Sequence, residues 1–129
     1  MTRGRAVRLV WWAAFVAACL VNLVAVYAPS QPTTSDLSIP HADKVGHLVI
    51  FAAVAWTGRG VGLPVRPLLG VLVLHAVSSE VIQATVLDDR SGDVYDAVAD
   101  LVGVAVGALL ARVTGVGERR RHDRRALRA

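Results

Sequence analysis

Four stretches rich in Val, Ala, Leu and Ile, each close to the length of a membrane crossing, account for most of this chain. The first, Val7–Ala28, reaches about 33 Å as a helix, enough to cross the hydrocarbon layer. It follows a basic start, as a signal peptide would. Its apolar run is longer than the usual secretory core, and Pro29 would follow the only plausible cleavage point, so it reads as a retained helix. The second runs about Ala42–Gly60 and is the least apolar, with Lys44 and Arg59 both obliged to reach water at its ends. The third, Pro67–Leu87, opens on a proline in its first turn, where a missing N–H is harmless. The fourth runs about Val94–Val113. The expected fold is all-α, an integral membrane bundle of four transmembrane helices in one domain, residues 1–115. Residues 116–129 form a basic tail. The connections Pro29–His41 and Asp88–Asp93 are the loops at one end of the bundle.

Polar residues break this pattern at restricted places. On the third helix Ser79, Glu80 and Gln83 share an arc of about 100°, with His75 at its edge. On the fourth, Asp93, Asp96, Asp100, Gly103 and Gly107 follow spacings of three, four, three and four and share one stripe. The upper part of that stripe is acidic; the lower part is G-x-x-x-G, which lets another helix approach closely. His47 lies about one turn inside the second helix. Ionisable groups at the centre of a span cost roughly 2.5–3.5 kcal/mol each on insertion scales, so groups kept at matching depth on neighbouring helices point to function. Asn22 reads as helix–helix adhesion, His75 as a satisfied core histidine, and Asp88 and Asp89 as solvated loop charges.

Composition agrees with a membrane chain: 54% of the 129 residues are hydrophobic and only 5% aromatic, so the excess is aliphatic. The single cysteine, Cys19, excludes a disulfide framework. The net charge of +4 hides a strong asymmetry. Arg3, Arg5, Arg8, Arg59, Arg66, Arg112 and the tail's Arg119, Arg120, Arg121, Arg124, Arg125 and Arg128 fall on one side of a four-span topology. Only Lys44 and Arg90 fall on the other. By the positive-inside rule both termini are cytoplasmic in the plasma membrane. The basic tail then marks sidedness, and no nucleic-acid partner is expected.

The order Asp43-Lys44-x-x-His47, Glu80-x-x-Gln83, Arg90-x-x-Asp93-x-x-Asp96 and Gly103-x-x-x-Gly107 resembles the VanZ-like family, small bacterial multi-pass membrane proteins. The resemblance covers about residues 43–110. It implies a link to cell-envelope properties and, through the founding member, to low-level teicoplanin resistance. The motif residues carried over are His47, Glu80, Gln83, Arg90, Asp93 and Asp96. The chain departs from the family pattern at Asp100, where asparagine is usual, at Gly92, where a bulky apolar residue is common, and in a Gln83–Arg90 connection one residue longer.

The leading expectation is an outward-facing polar pocket of His47, Glu80, Gln83, Arg90, Asp93, Asp96 and Asp100. It would bind an envelope lipid or peptidoglycan precursor in an accessory role, with Arg90 on a phosphate or carboxylate. Asp100, four residues below Asp96, is expected to be protonated and to donate to Glu80 or Gln83. No cofactor and no metal are expected in that reading. A second reading is a membrane enzyme using His47 and Glu80 as an acid–base pair, or an acidic stripe holding Mg²⁺ or Mn²⁺. A third is a small proton-coupled transporter.

Overall fold

The computed structural model describes residues 3–28, 42–86 and 93–116. They form four helices: α1 Arg3–Tyr27, α2 Ala42–Gly60, α3 Val65–Val86 and α4 Val94–Val113. The all-α expectation holds, and α2 and α4 have the expected bounds. α1 begins four residues before its apolar run, because Arg3, Arg5 and Ala6 are good helix formers and a loss of apolarity does not end a helix. α3 begins two residues before Pro67, which still lies in the first turn.

Three helices, α1, α3 and α4, are long and apolar enough to cross a membrane. Their large apolar side chains are widely exposed, among them Val10, Leu20, Val24, Val71, Leu74, Val81, Val98, Leu109 and Val113. A water-facing surface would not carry such a continuous apolar coat, whereas lipid would favour it. α2 is different. It carries Asp43, Lys44, His47 and Arg59, and it touches each of the other three helices. Protein covers much of its surface, so it tolerates polar groups that a lipid-facing helix would not.

The most extensive contact joins α2 and α4, which run parallel. Both glycines of the G-x-x-x-G sequence lie on this seam. A Cβ on Gly103 would collide with the Leu48 carbonyl, and one on Gly107 with the Ala52 carbonyl. The same residue offset recurs one turn apart, so the two backbones lie against each other over that length. α1 packs antiparallel on α2. Trp11 meets Trp56 edge-on with ring centroids 5.4 Å apart, and the Trp11 ring covers Gly60. Phe51, Val54, Ala55, Leu68, Leu72, Ala76, Val26 and Val104 form the small core between them.

The link between α2 and α3 is a short turn closed by glycine. Gly62 has φ 93°, and the Leu63 and Gly62 amides donate back to the Gly58 and Arg59 carbonyls. That paired return is a Schellman ending, and its left-handed residue favours glycine. The Arg59 guanidinium donates to the Leu63 carbonyl across the same turn.

Candidate functional site

The polar residues gather at the end of the bundle where α2 and α4 begin and α3 finishes. Parallel packing of α2 on α4 sets their levels. Lys44 stands one turn above His47, and Asp96 one turn above Asp100. The Lys44 ammonium donates to Asp93 Oδ2 at 2.8 Å and to Asp96 Oδ1 at 2.9 Å, with exposed Asp43 at 3.4 Å. One turn deeper, His47 Nδ1 and Asp100 Oδ1 are 2.9 Å apart, both residues buried and Asp100 fully so. The site therefore has two tiers, an upper one bridged by lysine and a lower one linking an imidazole to a carboxylate.

Asp93 caps α4. Its backbone is extended at φ −115° and ψ 116°, and its side chain accepts from the Tyr95 amide at 2.9 Å. An N-cap residue also has its own N–H to satisfy, often through an acid three positions on. That position is Asp96, which is committed to Lys44. Glu80 of α3 takes its place, accepting the Asp93 N–H on Oε2 at 2.9 Å. The hydrogen bond from the Lys44 ammonium, reinforced by the Tyr95 amide, holds the Asp93 carboxyl below the usual carboxylate range.

His47, Glu80, Asp93, Asp96 and Asp100 thus come together. One expected member, Gln83, does not join them. Gln83 is buried but donates its amide to the Val26 carbonyl of α1 at 2.8 Å. Three residues on a helix differ by about 60° around its axis, enough for Glu80 to face α4 while Gln83 faces α1. Val26 lies in the last turn of α1, where carbonyls outrun the helix's own donors. Arg90 lies outside the described residues, as do Asp88 and Asp89. The expected hydrogen bond from Asp100 to Glu80 or Gln83 is not formed; Asp100 pairs with His47 instead, because α4 packs most closely against α2.

In the sequence Lys44 reads only as a helix-end cation on the side opposite the arginines, yet it is the residue that joins α2 to the start of α4. The relevant signal was its position one turn above His47, matching Asp96 over Asp100. A separate polar chain crosses from α1 to α3. His75 Nε2 is 2.8 Å from Asn22 Oδ1, Tyr27 Oη is 3.4 Å from His75 Nδ1, and the imidazole stacks on Phe51. Asn22 therefore joins two helices, as its isolated position in an apolar segment suggests, and its partner is His75, which reads from the sequence only as a satisfied core histidine. At the opposite end of the bundle Arg59 and Arg112 flank a cleft with Val65 and Leu109.

Two carboxylate oxygens in the site are buried without a hydrogen-bond partner among the described residues, Glu80 Oε1 and Asp100 Oδ2. His47, Glu80 and Asp100 each offer a donor atom, and these three atoms lie within 4.8 Å of one another. The arrangement presents one imidazole and two carboxylates at one end of the helix bundle, with His47 and Asp100 buried. That donor set can share a proton, accept hydroxyls or ligate a cation. Comparison of the chain with protein-family models, with curated proteins and with solved structures returns no match.

Proposed function

We propose that this chain is a VanZ-like, multi-pass protein of the bacterial plasma membrane with four spans and both termini in the cytoplasm. Its polar end faces outward and engages an envelope lipid head group or a lipid-linked peptidoglycan precursor. The role is accessory: it alters envelope properties, including susceptibility to glycopeptides of the teicoplanin type. One observation carries the reading, a polar constellation from three helices, buried at His47 and Asp100 and half-buried above them, at one end of a bundle whose outer surface is apolar. Polar groups retained at such a depth are best explained by a ligand that arrives at the membrane surface. The arginine asymmetry supports the orientation.

The arrangement also bears on the kind of contact. Lys44 is occupied by Asp93 and Asp96, so carboxylate oxygens rather than a free ammonium are the groups the described part of the site presents. They suit the hydroxyls of a sugar or glycerol head group. Native mass spectrometry of protein extracted in mild detergent tests this. Wild-type protein should retain one lipid class that Glu80→Gln protein loses. Equal retention by both would remove the site from lipid binding.

A second reading has its own observation. A histidine held by a buried carboxylate is the arrangement that orients an imidazole for general acid–base work, and His47–Asp100 has it. Under that reading one lipid pool accumulates when the gene is deleted, and its turnover by membranes is restored by wild type but not by His47→Gln.

A further inference from the structure

We infer that His47, Glu80 and Asp100 form a binding site for one first-row divalent cation, with Mn²⁺ and Zn²⁺ as the best-matched ions. This inference does not depend on the lipid reading, because it concerns the three side chains alone.

The geometry comes first. One donor atom from each residue lies within a 4.8 Å group. Donors about 2.0–2.2 Å from a metal sit roughly 3–3.5 Å apart when they are neighbours in the shell. His47 Nδ1 and Asp100 Oδ1 are held 2.9 Å apart by a hydrogen bond, and an ion would take the place of the proton between them. The group spans up to 4.8 Å, so its side chains must draw closer together to share an ion. The three residues come from three different helices, and their levels are fixed by the backbone contact at Gly103 and by the bond from Asp93 to Glu80.

The second observation is independent of spacing. Asp100 is fully buried, yet its Oδ2 has no partner among the described residues; Glu80 Oε1 is buried and unpartnered as well. Buried carboxylate oxygens are nearly always satisfied, and an unsatisfied one calls for an absent ion or water. Two such atoms on neighbouring members of one group point to a shared ligand with positive charge.

Charge balance argues the same way. Asp43, Glu80, Asp93, Asp96 and Asp100 supply five carboxyl groups at this end, against Lys44 as the one described lysine. Lys44 sits in the upper tier and contacts neither Glu80 nor Asp100. A dication bound to the lower tier would neutralise both of its carboxylates in a setting where uncompensated charge is expensive. One imidazole with two carboxylates is intermediate between the oxygen-only sets of Mg²⁺ and Ca²⁺ and the thiolate sets of softer ions. Three protein ligands also leave positions open for water or a head-group oxygen.

Purified protein in detergent, stripped with chelator and titrated with Mn²⁺ and separately with Zn²⁺, tests the site. Calorimetry should give one ion per chain. Glu80→Gln and Asp100→Asn should each weaken binding at least tenfold, while Arg112→Gln, at the opposite end of the bundle, should change it less than threefold. Because a variant can fail to fold, the wild-type protein supplies a separate readout. Pulsed EPR of its Mn²⁺ complex should show coupling to one imidazole nitrogen. Absence of stoichiometric binding, binding indifferent to Glu80 and Asp100, or a Mn²⁺ signal without nitrogen coupling would each overturn the proposal.

Discussion

His47 and Asp100, fifty-three residues apart in the chain, are joined at 2.9 Å in the buried seam between α2 and α4. Neither side chain has another described partner, so each depends on the other. Removing one member of a buried pair leaves the second uncompensated, which costs about 3–5 kcal/mol. Asp100→Ala should therefore lower thermal stability in detergent strongly. Asp100→Asn retains a hydrogen-bonding group at the same place and should cost less than half as much. A double-mutant cycle with His47→Ala should show coupling above about 1 kcal/mol; additive losses would mean that the pair does not hold the helices together.

Gly103 and Gly107 make a sharper steric prediction. A methyl group at Gly103 meets the Leu48 backbone carbonyl, which cannot rotate away. Gly103→Ala should destabilise by about 1–3 kcal/mol, as overpacking does. Nothing lies within 4 Å of a Cβ at Gly46 or Gly70. Alanine there should be neutral or stabilising by up to about 1 kcal/mol through helix propensity. Melting curves of the three variants in one detergent compare them directly.

The Asp93 cap makes a pH prediction. Its carboxyl is held below the ordinary value of 3.8 by Lys44 and then by the Tyr95 amide. A depressed acid stabilises the folded state above its unfolded value, and that contribution is lost as pH falls through the lower folded value. Wild type should therefore lose stability below about pH 4 more steeply than Asp93→Asn, whose side chain does not titrate. Parallel acid limbs for the two proteins would show that Asp93 is not held in this way. Lys44→Met should flatten the same limb and reduce the salt sensitivity of melting.

Much of this organisation was readable from residue spacing. The bounds of α2 and α4 follow from where apolar residues stop, and the acidic stripe above G-x-x-x-G correctly puts Asp96 and Asp100 on the packed side of α4. Pairing was harder to read. Glu80 and Gln83 share an arc, but the sequence does not say that two different helices lie against that arc, so Gln83's attachment to α1 was out of reach. The G-x-x-x-G pattern announces a close neighbour without naming it. Once α2 is known to be that neighbour and to run parallel, Lys44 over His47 matches Asp96 over Asp100, and the two tiers follow. The start of α1 was misplaced because hydropathy marks the end of an apolar run, not of a helix.

Orientation is a separate expectation with a direct check. Cytoplasmic reporters fused at Ala129 should be active, while a periplasmic reporter inserted in the Pro29–His41 connection should be active there. A periplasmic signal from the Ala129 fusion would remove the four-span topology, and with it the outward placement of the polar end.

The most direct measurement of the central claim, that the buried polar end is the working part of the protein, is complementation of a deletion strain. Glycopeptide susceptibility and the envelope lipid pool would be measured together. Wild type should return susceptibility to the parental level without altering the lipid pool. Glu80→Gln, inserted in the membrane at the same level, should fail to restore it, whereas Gln83→Leu, which loses only the bond to α1, should retain most of the effect. Full complementation by Glu80→Gln would contradict the account.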